Sequence, residues 1–197
     1  MSDHKTIFIV PGFRQSTSSV AYKNIAKMFA TSGFHPVLVD ISWKGTTIST
    51  NVEHFLKKFK KSPASKKYIL GFSYGAMIAF IAAAEVKVEG LILCSLSPYF
   101  SEDLKDLKNK NLSSLARLRY EDFAKFNSGS IAKKTRAKQI LMIYGASEAR
   151  ALVARVKKTF DQINLSQKSL ISIARTEHEI GSAKYMGTIR EAAASLS

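Results

Sequence analysis

Apolar and polar positions follow two spacings along the chain. Short apolar runs recur at residues 6–10, 35–40, 68–72, 88–94, 139–144 and 169–174. Runs of that length, bounded by polar or Gly/Pro-containing stretches, suit buried strands. The segments between them carry helical spacing. Residues 18–31 place Val20, Ile25, Met28 and Phe29 roughly on one face. Residues 51–61 turn Val52, Phe55, Leu56 and Phe59 inward and Lys57, Lys58, Lys60 and Lys61 to water. Further helical patterns run to Ala84, to about Phe160 and to about Leu196. Strand alternating with helix predicts a mostly parallel sheet of about six strands, covered on both faces, in a three-layer α/β/α sandwich. Polar loops then follow the carboxyl ends of the strands, the edge where open α/β sheets bind ligands.

One strand–helix junction differs from the rest. The run Lys66-Lys67-Tyr68-Ile69-Leu70 enters Gly71-Phe72-Ser73-Tyr74-Gly75, and an almost wholly apolar segment follows. The pattern is strand, sharp turn and helix with Ser73 at the apex. A Cβ two residues to either side of Ser73 would clash where strand and helix converge, so Gly71 and Gly75 have a steric reason to be glycine. The segment 95–138 also has a different character. It is rich in charge and holds two helical patterns, about 101–108 and about 112–126, the second with Leu112, Leu115, Leu118, Tyr120, Phe123 and Phe126 as apolar contacts.

The Gly-x-Ser-x-Gly turn in this setting resembles the nucleophile elbow of the α/β-hydrolase family. The resemblance covers nearly the whole chain, as a small, trimmed member. It implies one domain over residues 1–197 with 97–138 as a lid-like helical insertion. It also implies a nucleophilic Ser73 and the chain order serine, acid, histidine. Of the four histidines, His4 is terminal, His54 lies on the lysine-rich helix, and His35 begins a strand at the wrong edge. His178 follows both the serine and a strand, in the polar loop Arg175-Thr176-Glu177-His178-Glu179. The acid implied by the family's placement is Glu148, with Glu102 or Asp103 as alternatives. Glu148 also reads as a first-turn helix acid behind a Ser147 N-cap. Glu177 and Glu179 flank His178, as groups able to tune it. The resemblance further implies an oxyanion hole built from the backbone N–H groups of Tyr74 and Phe13. Gly12 would let the backbone approach substrate. Arg14 would grip a substrate carboxylate or phosphate, or lie solvated at a helix start.

Composition adds bounds. The chain has 197 residues, 46% of them apolar, enough for a sizeable core. Its single cysteine, Cys94, lies in an apolar run and reads as a buried thiol. No signal-peptide pattern and no membrane-length apolar run is found, which points to the cytoplasm. No metal-ligand spacing and no glycine-rich dinucleotide or phosphate fingerprint appears, so no cofactor or metal is expected. The net charge of +15 and a pI of 9.9 favour anionic partners, yet the lysines are spread along the chain, and no specific nucleic acid is expected. The expected activity is cleavage of a carboxylic ester or thioester, with anionic ones among the candidates, through an acyl-enzyme on Ser73. Two alternatives stand beside it: acyl transfer by the same triad, and a degenerate hydrolase fold that binds an anionic partner.

Overall fold

The structure is a computed structural model that describes residues 5–107 and 113–196. Six strands among the described residues form one sheet: β1 (Lys5–Val10), β2 (His35–Leu38), β3 (Lys66–Phe72), β4 (Val88–Cys94), β5 (Ala137–Gly145) and β6 (Lys168–Ile173). The order is β2-β1-β3-β4-β5-β6, and every neighbouring pair is parallel. All carboxyl ends therefore lie along one edge.

Among the described residues the seven α-helices are α1 (Val20–Thr31), α2 (Ile48–Lys61), α3 (Tyr74–Ala83), α4 (Ser114–Phe123), α5 (Ser128–Lys134), α6 (Arg150–Gln162) and α7 (Ala183–Ser195). Successive strand side chains point to opposite faces, which splits the core in two. Phe8, Ile69, Leu91 and Met142 pack with Phe55 of α2, Phe80 of α3 and Val156 of α6. Ile7, Leu70, Ile92 and Ile143 pack with Ile25 of α1 and Ile189 of α7. The sheet is thus sandwiched as the alternation predicts.

The helices depart from their sequence pattern in instructive places. In α1 Val20 is exposed and Tyr22 is buried, because the helix starts only at Val20 behind Ser19. Helix α2 begins at Ile48 rather than Asn51. Thr47 and Thr50 cap it reciprocally, a capping box with threonine where glutamate or glutamine is usual. The single helix expected over 112–126 is shorter and is followed by a second one, α5. Ser113 caps α4 and Asn127 caps α5, each through its side chain. Leu115 and Leu118 are exposed rather than core, while Phe123 and Phe126 pack against the core. The end of the helical pattern at Lys108 and the contact expected of Leu112 lie outside the described residues. No helix among the described residues is long and apolar enough to cross a membrane.

The glycine argument holds in atomic detail. A Cβ on Gly71 would lie 2.3 Å from the Gly75 carbonyl oxygen, and one on Gly75 would lie 2.3 Å from that of Val10. Backbone cannot move aside as a flexible side chain does. Gly75→Ala should therefore fail to fold or lose about 3 kcal/mol. Gly187, inside α7 with nothing within 4 Å of its virtual Cβ, should gain about 0.5–1 kcal/mol on substitution by alanine. Urea unfolding of the two variants checks the contrast.

Candidate active site

The elbow forms where β3 meets α3. Ser73 has φ 56° and ψ −115°, an uncommon conformation for a residue with a side chain. Its N–H is held by the Cys94 carbonyl at 2.8 Å, which pins the turn to the end of β4. Tyr74 opens α3, so its N–H is one of the first-turn donors that no carbonyl within the helix can satisfy.

The loop after β6 brings His178 to this turn. Its Nε2 lies 2.9 Å from Ser73 Oγ, and its ring stacks on Phe72 at 4.8 Å between centroids. The loop docks because Gly145 has no Cβ: one there would lie 2.3 Å from the Thr176 carbonyl oxygen. The Ser147 N–H donates to the same oxygen at 2.9 Å.

Glu148 completes the line. The helix that follows starts at Arg150 with Ala149 at its N-cap. Ser147 is therefore no cap, and Glu148 precedes the helix rather than decorating its first turn. Its carboxylate is buried. Oε1 accepts from the Ser95 hydroxyl at 2.6 Å and the Gly145 N–H at 3.0 Å. Oε2 accepts no hydrogen bond among the described residues and faces His178 Nδ1 at 3.4 Å. That separation is long for a hydrogen bond, as such contacts often are before substrate binds. Neither Glu177 nor Glu179 forms an ion pair with His178 among the described residues.

The alternative acids are committed elsewhere. Buried Arg155 of α6 takes Asp103 with two donors, one of them Nε at 2.9 Å. It also meets Glu102 at 3.1 Å and the Ser128 hydroxyl at 2.6 Å. This cluster ties residues 101–107 and α5 to the body of the fold.

A cavity of about 500 Å³ opens over Ser73 and His178. Phe13, Tyr74, Tyr99, Phe123 and Leu152 line it, and among the described residues Arg119 of α4 is its one arginine, lysine or carboxylate. Tyr99 and Phe123 stack at 5.3 Å, and Trp43 stands edge-on to Phe13 and Tyr74. Burial pushes the Tyr74 phenol up to about 12, against a smaller opposing effect of its hydrogen bond with Asn51.

Two expected substrate contacts fall elsewhere. Gly12 does not line the cavity. Its N–H goes to Gln15 Oε1 at 3.1 Å and Tyr22 OH at 3.0 Å, and a Cβ there would press on Gln15 and Phe72. The glycine serves the packing of the turn, not an approach to substrate. Arg14 is exposed, over the outer side of the Phe13 ring at 5.2 Å, and does not line the cavity either.

Two serines were missed in the sequence. Ser97 is buried, with Oγ 3.1 Å from Ser73 Oγ. Ser95 has φ 51° and lies 2.7 Å from the Tyr185 phenol. Burial holds that phenol well above its ordinary value, and the adjacent Cys94 adds to the rise. Both serines directly follow β4 on the ligand-binding edge, and that position was the available signal.

No protein-family model matches the sequence, and no curated protein is similar enough to match. Solved structures do match in fold. Est1E from Butyrivibrio proteoclasticus superposes with a TM-score of 0.82 at 15% identity, covering 98% of this chain and 86% of that one. Mouse alpha/beta hydrolase domain-containing protein 10 gives 0.75 at 12% identity, covering 97% and 88%. This is the α/β-hydrolase fold. A monoacylglycerol lipase from Paleococcus ferrophilus shares it at 0.70 and 13% identity, covering 98% and 95%. Within this α/β-hydrolase fold, the segment over the cavity is tied down by polar contacts. Buried Asp122 of α4 accepts from the Ser49 N–H at 2.8 Å and its hydroxyl at 2.7 Å.

Two predictions follow from the buried carboxylates. Ser95→Ala leaves Glu148 Oε1 with one donor, and should cost about 1–3 kcal/mol in urea unfolding. For Glu102 and Asp122, burial alone would raise the carboxyl pKa. Hydrogen bonds, led by Ser128 for Glu102 and by the Ser49 N–H for Asp122, outweigh it and hold both below their ordinary values. Their contribution is present above the ordinary carboxylate range and is lost as pH falls through the lowered values. Amide hydrogen exchange in α4 and α5, taken relative to the intrinsic rate at each pH, should therefore accelerate once pH falls below the ordinary carboxylate range, ahead of exchange in α3. Equal acceleration in all three helices would rule out a local release.

Proposed function

We propose that the protein is a serine hydrolase that cleaves a carboxylic ester or thioester through an acyl-enzyme on Ser73. The observation that carries this reading is the line from Ser73 Oγ to His178 Nε2 at 2.9 Å and from His178 Nδ1 to Glu148 Oε2 at 3.4 Å. A serine hydroxyl is a weak nucleophile at neutral pH and needs an adjacent base held by an acid. Ser73 and His178 also line an apolar cavity, where an acyl group is sheltered from water, with Glu148 buried behind the histidine. The fold it shares with a monoacylglycerol lipase supports an ester substrate.

In this reaction Ser73 Oγ attacks the carbonyl carbon while His178 Nε2 takes its proton. The tetrahedral oxyanion points toward the N–H groups of Phe13 and Tyr74. As the carbon–oxygen or carbon–sulfur bond breaks, His178 returns the proton to the leaving alcohol or thiol. Water then enters, His178 removes its proton, and the acyl group leaves as a carboxylic acid. Glu148 orients the imidazole and stabilises its cationic form. Its buried position strengthens that interaction, and the Ser95 and Gly145 donors keep the carboxylate from turning away. Ser97 shares the Ser73 hydroxyl before substrate arrives.

Intact-mass analysis with a fluorophosphonate probe tests the reading without a known substrate. One adduct is expected on the wild type and none on Ser73→Ala or His178→Ala. Glu148→Gln should label and turn over on the order of a thousandfold more slowly, because the amide favours the wrong imidazole tautomer. No adduct on folded wild type would overturn the nucleophile assignment, and full activity in Glu148→Gln would overturn the acid.

A further inference from the structure

Arg119 presents a positive charge to the cavity without an anion to answer it. Its Nε donates to the Thr46 carbonyl at 3.0 Å and its Nη2 to the Trp43 carbonyl at 2.6 Å. The guanidinium also lies 5.1 Å from the centre of the Phe13 ring. A guanidinium has five N–H donors, and these two bonds use two. No carboxylate forms an ion pair with it among the described residues. Its helical neighbour Asp122 is taken by Ser49 and Lys125. Apart from Ser73, Ser97 and His178, the rest of the lining is aromatic or aliphatic.

A purely structural arginine is the competing explanation, since the two carbonyls tether α4 to residues 43–46. Neutral carbonyls, however, leave a half-buried charge uncompensated. The Asp122–Ser49 contacts already fasten the same helix to α2. A lysine or a neutral donor would serve a tether. The planar fork of arginine is suited to a carboxylate taken by two parallel N–H groups.

We propose that Arg119 is a specificity-determining residue that binds a carboxylate on the substrate, so that the preferred ester is one whose acyl chain ends in a second carboxyl group. The proposal rests on the hydrolase reading for its reaction, though not for its binding site. The aromatic walls would hold the carbon chain between the carbonyl at Ser73 and the anion at Arg119.

The test compares monomethyl glutarate, adipate and suberate with methyl pentanoate, hexanoate and octanoate, with methanol release measured for each. The wild type should favour at least one anionic ester over its neutral partner by about tenfold or more in kcat/KM. A hydrogen-bonded charge supplies selectivity of that order. In Arg119→Leu the ratio of anionic to neutral kcat/KM should fall about tenfold to a hundredfold, mainly through KM. Arg119→Lys should restore part of it. A wild type without the preference, or a variant that loses both series in equal proportion, would overturn the proposal.

The two readings separate through Trp43, the single tryptophan, which stands against Phe13 and Tyr74 and reports occupancy of the cavity. Monomethyl adipate should perturb its fluorescence in Ser73→Ala, with an affinity that weakens as salt rises. Binding there without fluorophosphonate labelling of the wild type would remove the hydrolase reading and keep the anion site. Labelling without this binding would do the reverse.

Discussion

The site depends first on how closely α3 lies against β1 and β3. At the elbow, main chain approaches main chain with no room for a side chain, and Gly71 and Gly75 permit it. The approach fixes Ser73 in its left-handed conformation and directs its hydroxyl outward. It also places Tyr74, with its first-turn N–H, at the start of α3 directly beside Ser73. A serine on a regular turn would have a lower-energy backbone and no such direction. The strain is held by its surroundings: the hydrogen bond from Ser73 to Cys94, and a helix apolar on every side and buried along its whole length.

A second approach of main chain to main chain brings the histidine. Gly145 lets the Thr176 carbonyl rest against the end of β5, so the loop carrying His178 docks beside the one carrying Glu148. The carboxylate could not remain buried without donors, and these come from three separated parts of the chain. Ser95 after β4 and Gly145 at the end of β5 bond Oε1 directly, while Tyr185 on α7 backs Ser95. The sheet edge and the α7 layer therefore take part in fixing a group carried by the loop that precedes α6.

The elbow, the sheet class and the pairing of Ser73 with His178 were legible in the sequence because each has a local signature: two glycines around a serine, apolar runs at strand length, a polar loop after the last strand. The placement of Glu148 was open on local grounds, since a glutamate behind a serine also describes a helix start. It was decided by where α6 begins, at Arg150. The Arg155 cluster and the Ser95–Tyr185 contact had no local signature at all. Their partners are 27 to 90 residues apart and meet only in the fold. The same limit explains the arginines. Arg14 directly follows Phe13 of the cavity in sequence yet is exposed, whereas Arg119, far along the chain in a segment read chiefly for its leucines and aromatics, lines the cavity.

The cavity wall on α4 is held in place differently from its floor. Floor positions are set by the register of parallel strands, where a shift moves every residue at once and reverses the facing of each side chain. The wall is fastened by separate polar contacts, Asp122 to Ser49 and Arg119 to two carbonyls. Such a wall can be remodelled residue by residue while Ser73 stays where it is. Over evolutionary time, the range of molecules admitted can drift without the line from Ser73 to Glu148 having to be rebuilt, and a designer seeking a new specificity would begin on α4.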